Sequence, residues 1–169
     1  MYELVKELTE LAGPTGHEDA VQDWLVERWG TLWREVRRTR VDNVLAHVGG
    51  HGPRLALVAH ADELSLLVKS ISEDGFLHLW PYSDGLGRPP RWFMPLGQPA
   101  LVVTSRGNVP GIIATATGHV VGGPNHQREW VWNDWFVDLG IRSRQEVLDL
   151  GIRAGARVIW NPETRRIGQ

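Results

Sequence analysis

Cysteine is absent from all 169 residues, which excludes disulfides and thiolate metal ligands and suits a protein of the cytoplasm. Lysine is scarce as well: Lys6 and Lys69 stand against sixteen arginines, a skew that reflects codon bias rather than function. Neither sign of charge is in excess, the formal net charge being −2, so composition gives no support for a nucleic-acid or acidic-membrane partner. No apolar run approaches the roughly 20 residues that span a bilayer. The N-terminal MYELVKELTELAG carries acids through its apolar pattern, unlike a signal peptide. Repeats and low-complexity tracts are lacking. What remains, 42% hydrophobic and 22% charged, is the composition of a globular protein of one ordinary domain or two small ones. Nine tryptophans are many for this length.

Residues 2–12 place Leu4, Val5, Leu8, Leu11 and Ala12 on one helical face, and Gly13-Pro14 stops that helix. Thr15-Gly16-His17-Glu18 predicts a capping box with Thr15 as N-cap. The helix that follows runs to Trp29 with Val21, Trp24, Leu25 and Trp29 as its buried stripe, and Gly30 ends it. Strands are expected in WREVRRTRV, in VLAHV and in RLALVA (Arg54 to Ala59), so two helices cover several strands in the manner of an α/β domain. Past Val68 the texture changes. Short β runs alternate with turn clusters such as SEDG, PLGQP and SRGNVPG, which predicts a small barrel or sandwich. One helix interrupts it, opened by the capping box Ser143-x-x-Glu146, with Val147, Leu148 and Leu150 inward and Gly151 closing it. The boundary falls near Leu67.

The chemistry concentrates at LVAHADELSLLV, where an apolar run meets His60-Ala61-Asp62-Glu63. Ligands in open α/β sheets sit outside the carboxyl ends of strands. A neutral imidazole binds a borderline metal through one nitrogen and needs an acceptor on the other, which a carboxylate close in the chain can supply. His60 is then a metal ligand and Asp62 its orienter. The other reading is a core histidine hydrogen-bonded to a neighbouring acid, since one ligand does not make a site.

The order of segments LxELxxLAGPTGHED, VDNVLAHV, LALVAHADE, SEDGFLHLWP, VVTSRGNVPGIIATATGH and VDLGIRSRQEVLDLGIRAGARV covers nearly the whole chain. In these the chain resembles the metallo-aminopeptidase family of glutamyl aminopeptidase and the tetrahedral aminopeptidases, some members of which are labelled endoglucanase. The resemblance implies a zinc-exopeptidase-like three-layer α/β catalytic domain, interrupted by a small PDZ-like β-barrel domain that mediates dimerisation. Residues 1–67 would be the first part of the catalytic domain, 68–160 the inserted barrel, and 161–169 the start of the return. It also implies two divalent metal ions, zinc or cobalt, with His60 as a ligand and Asp62 behind it. The expected activity is removal of N-terminal residues from peptide substrates by metal-activated water, in a homo-oligomer of dimers or larger.

The same pattern requires a bridging Asp in an Asp-Asp motif, a Glu-Glu pair, another Asp and a late His. No Asp-Asp or Glu-Glu occurs in this sequence. The expectation is therefore the N-terminal part of such an enzyme, inactive by itself and binding metal weakly at most. Ser65 stands where the family usually has Gly, and SDGLGRPPRWFMP is longer and more aromatic than its counterpart. A second reading, from a different class, is a non-catalytic dimerisation or interaction module derived from the family. A deacylase or carboxypeptidase of the broader His-x-Asp group is disfavoured by VDLGIRSRQEVLDLGI. Other residues carry weaker signals. His17 reads as a surface residue, while His119, His126 and Glu129 could hold only an adventitious metal. Trp130, Trp132 and Trp135 suggest a sugar platform, but buried or interfacial anchors are the commoner meaning. The run Arg34 to Arg40 reads as a solvated strand face, and Ser105 lacks a nucleophile-elbow context. Glu63 takes no role beyond electrostatics.

Overall fold

The computed structural model describes residues 1–81, 96–116, 131–160 and 163–168. The chain divides into two compact units, one of residues 1–63 with 166–169 and one of residues 64–165.

The first unit opens with helix α1 (Tyr2–Thr9) and helix α2 (Asp19–Gly30), followed by strands β1 (Glu35–Arg38) and β2 (Val44–His47). The strands pair antiparallel from Glu35↔His47 to Arg38↔Val44. Alternation places Val36 of β1 opposite Ala46 of β2, both half-buried, while Glu35 and Arg37 face out. The basic run is not uniformly solvated. Arg38 donates to Asp19 at 2.5 Å and Asp23 at 2.8 Å, tying the hairpin to α2 through two carboxylates, and to Asp42 of the hairpin's own turn at 2.9 Å.

Burial here is thin. No residue of α1 is buried, and α2 buries only Val21 and Gln22. Trp24, Leu25 and Trp29, expected inside, are half-exposed. The capping box also fails: the N-cap of α2 is Glu18, and no side chain caps the helix. The strand expected at Arg54 to Ala59 does not form. Leu55, Leu57 and Val58 are 85%, 90% and 91% exposed, with no strand pairing them among the described residues. The reason is physical: a continuously apolar run suits a strand covered on both faces and hydrogen-bonded on its edges, and without those neighbours it has no ladder to join.

The second unit supplies its own neighbours. Strands β3 (Leu66–Ile71), β4 (Leu77–Pro81), β5 (Pro99–Val103), β6 (Val109–Thr115), β7 (Trp135–Asp138) and β8 (Arg157–Trp160) close into an antiparallel barrel of order β3-β4-β7-β6-β5-β8. Closure at the β3–β8 seam extends beyond the ladder, with Val68 N–H donating to Ala156 O and Gly155 N–H to Val68 O. A closed barrel leaves no open edge. Its interior is filled by Leu77, Leu79, Val102, Ile113, Trp135, Val137 and Val158, all essentially inaccessible. β6 and β7 approach closely at Gly111, where a Cβ would meet Val137 Cγ1 at 2.6 Å and Asp138 O at 2.9 Å.

Helix α3 (Arg144–Asp149) is capped as expected, Glu146 N–H donating to Ser143 Oγ at 3.2 Å. It sends Val147 into the core, but Leu150 faces outward. The left-handed Gly151 turns the chain so that Ile152 takes the inward place instead. Trp132, in a 3-10 turn at Trp132–Asp134, and Trp135 are both buried in this core, which removes them from any sugar platform. Trp130, His119, His126 and Glu129 lie outside the described residues.

Two outcomes follow from this contrast. Leu79→Ala destabilises the barrel by about 2–5 kcal/mol in urea unfolding, while Leu57→Ala changes stability by less than about 0.5 kcal/mol. The exposed apolar segment drives self-association, so the weight-average mass by light scattering rises with concentration. Replacing Leu57 and Val58 together by Lys suppresses that rise.

Candidate functional site

Residues 60–63 are held by a short loop that precedes α2. Gly13 and Glu63 exchange two hydrogen bonds: Glu63 N–H donates to Gly13 O at 2.8 Å, and Gly13 N–H donates to Glu63 Oε1 at 2.9 Å. Pro14 and Glu63 form an isolated parallel bridge beside them. The loop is in turn pressed on α2. A Cβ at position 13 would sit 2.7 Å from Val21 Cγ2 and 3.6 Å from Ala61 O, so only glycine fits there.

On this support sits a chain of three side chains. Thr15 Oγ1 donates to Asp62 Oδ2 at 2.5 Å. Asp62 Oδ1 lies 3.0 Å from His60 Nδ1, and the Asp62 carbonyl lies 2.9 Å from the same nitrogen. Two acceptors around Nδ1 assign the proton there, which leaves Nε2 as the nitrogen with a free lone pair. The imidazole is 85% exposed and Asp62 32%. His60 is thus a surface group, not a packed core histidine.

The two carboxylates respond oppositely to this setting. Asp62 is held below the usual carboxylate range, first by the Thr15 hydroxyl and then by His60, against partial desolvation. Glu63 is pushed up by burial, with the Gly13 N–H only partly opposing it. Glu63 therefore has a structural task, closing the loop, which the sequence did not disclose. Thr15 was missed for another reason: Thr-x-x-Glu before an apolar run has a local explanation as a cap, and the partner it actually finds is 47 residues away.

Among the described residues, no group of three or more His, Asp or Glu side chains could hold a metal ion. The donor set around His60 fits one ligand position and not a whole centre. His17 is exposed, with its backbone N–H donating to Pro14 O, and is remote in role from the imidazole at 60. Ser105 lies in an exposed turn. No helix among the described residues is long and apolar enough to cross a membrane.

Glu63 provides a pH test. A carboxyl whose folded pKa is raised binds more protons folded than unfolded, so ionising it costs stability as pH rises through its titration. Glu63→Gln keeps the acceptor for Gly13 N–H and removes that cost. Amide-exchange protection at Gly13 and Glu63, relative to wild type, therefore increases in the variant as pH rises above the ordinary glutamate range near about 4.

Comparison with known proteins agrees with the order of segments. The chain is 28% identical over 170 residues to a lysyl aminopeptidase of Pyrococcus furiosus, covering 99% of this chain and 48% of that protein. A TET aminopeptidase from the marine sediment archaeon Thaumarchaeota archaeon SCGC AB-539-E09 matches in structure. Its TM-score is 0.83 at 30% identity, over 98% of this chain and 46% of that one. A Pyrococcus horikoshii TET1 peptidase, described as assembling into a tetrahedron or a large octahedral shell, shares the fold. There the TM-score is 0.74 at 23% identity, over 94% of this chain and 46% of the other. The chain spans about half the length of the curated relatives it matches. The family model described as M42 glutamyl aminopeptidase matches residues 42–169, three-quarters of the chain. The chain therefore belongs to the M42 glutamyl aminopeptidase family.

Proposed function

We propose that this chain carries one corner of a metal-dependent aminopeptidase centre, with His60 as a metal ligand through Nε2 and Asp62 as the group that orients it. The observation that supports this most directly is the pairing at Nδ1: a carboxylate and a carbonyl on one nitrogen, and the other nitrogen open to solvent on an 85% exposed ring. A histidine ligand needs this arrangement, its second N–H fixed by an acceptor so that the metal-facing nitrogen is unprotonated. Two divalent ions, zinc or cobalt, would occupy the complete centre and supply a water made nucleophilic at neutral pH. The substrates would be peptides, trimmed at the N-terminus. Family membership supports the activity class.

His60 holds its ring ready without a metal, and Asp62 remains ionised across the neutral range to do so. Glu63 anchors the segment rather than touching substrate. With only one ligand position among the described residues, the 169-residue chain is inactive on its own. The reading places residues 1–67 in a three-layer α/β catalytic domain, 68–160 in an inserted PDZ-like barrel, and 161–169 at the return. It also makes the barrel a surface for homo-oligomers, in a cytoplasmic protein.

One observation favours a second reading, a non-catalytic interaction module. The barrel is closed and fully cored, while the unit bearing His60 buries little.

Calorimetric titration with zinc separates the two. The aminopeptidase reading expects weak binding, a Kd above about 1 μM, that His60→Ala abolishes. It also expects no release of chromophore from aminoacyl p-nitroanilides by this chain. Zinc binding untouched by His60→Ala, or none at millimolar zinc, supports the module instead.

A further inference from the structure

Thr15 has no task in the helix it precedes. The N-cap of α2 is Glu18, whose carboxylate accepts from Gly16 N–H at 2.6 Å, and no side chain caps the helix. The Thr15 hydroxyl instead donates across 47 residues to Asp62 Oδ2, on the side of the carboxylate away from His60. The other oxygen, Oδ1, faces His60 Nδ1. Both oxygens of Asp62 are therefore committed, one to each neighbour.

That double commitment matters because the terminal torsion of aspartate is broad and roughly two-fold. A carboxylate held at one oxygen can swing about the remaining bond and carry its partner's ring with it. A second bond from a fixed donor removes that freedom. Thr15 is such a donor: its β-branched side chain is stiff at χ1, the two residues before it are tied to Glu63, and the turn that holds it is closed by His17 N–H donating to Pro14 O.

We propose that Thr15 is a positioning residue for His60: its hydroxyl fixes the plane of Asp62, and Asp62 so fixed holds the imidazole as the Nδ1–H tautomer with Nε2 open. The significance of an open Nε2 rests on the metal-ligand reading of His60, but the tautomer itself does not.

The experiment compares the 169-residue chain with Thr15→Val, which keeps the shape and loses the hydroxyl, and Thr15→Ser, which restores a hydroxyl. Nitrogen-15 shifts of the His60 ring, recorded where the imidazole is neutral, report the tautomer. Wild type shows mainly Nδ1–H, Thr15→Val a mixture with Nε2–H, and Thr15→Ser returns to the wild-type pattern. Zinc affinity falls about threefold to tenfold in Thr15→Val and recovers in Thr15→Ser, at or below the range for outer partners of metal-binding histidines. Amide protection at Gly13 and Glu63 monitors the loop. An unchanged tautomer in Thr15→Val with an intact loop overturns the proposal, and so does a predominantly Nε2–H ring in wild type, which needs no variant. Absence of His60-dependent zinc binding overturns the metal-ligand reading alone, since the ring shifts still decide the role of Thr15.

Discussion

The hydrogen-bond exchange between Gly13 and Glu63 is the constraint on which the site depends. It joins two stretches of chain fifty residues apart with one backbone–backbone bond, from Glu63 N–H to Gly13 O, and one bond from Gly13 N–H to the half-buried Glu63 carboxylate. A carboxylate in that position is disfavoured by desolvation unless a donor meets it. The Gly13 amide does so, and glycine alone allows the backbone to come close enough to α2. Asp62 and His60 then project beside this joint, at the end of a segment that no strand pairs among the described residues.

The two units show how differently one sequence can distribute its burial. The barrel returns on itself, so every strand has two neighbours and every inward side chain a partner. The N-terminal unit has an amphipathic first helix and an exposed apolar segment but few surfaces on which to bury them. Polar joints cross it: the Arg38 cluster, which fastens α2 to the hairpin, and the Gly13–Glu63 exchange. Ion pairs with exposed carboxylates contribute little individually. The Arg38 guanidinium, however, engages three acids through different nitrogens, a geometry that a lysine ammonium could not reproduce.

How much of this could be seen in advance depended on whether the signal was local. The two N-terminal helices, the hairpin strands, the barrel's β runs and the Ser143 cap all rest on short-range pattern, and all are present. RLALVA misled because apolar continuity describes what a strand wants, while the ladder that makes it a strand lies elsewhere. Leu150 misled for a smaller reason: the helix ends one residue sooner than the stripe suggests, and Gly151 hands the inward position to Ile152. His60 and Asp62 were legible because i, i+2 proximity is built into the chain. Thr15 and Glu63 were not, because each acts on a residue far away in sequence.

Gly13 also has a mechanical meaning. Its backbone lies against the Val21 side chain with no room for a Cβ, so α2 and the loop bearing Thr15 are in close contact there. Close-packed contacts transmit displacement rather than absorb it. An aliphatic residue on the inner face of a helix therefore supports the site through the loop it packs against. A bulkier side chain at 21 would press first on the backbone at Gly13, two residues before Thr15.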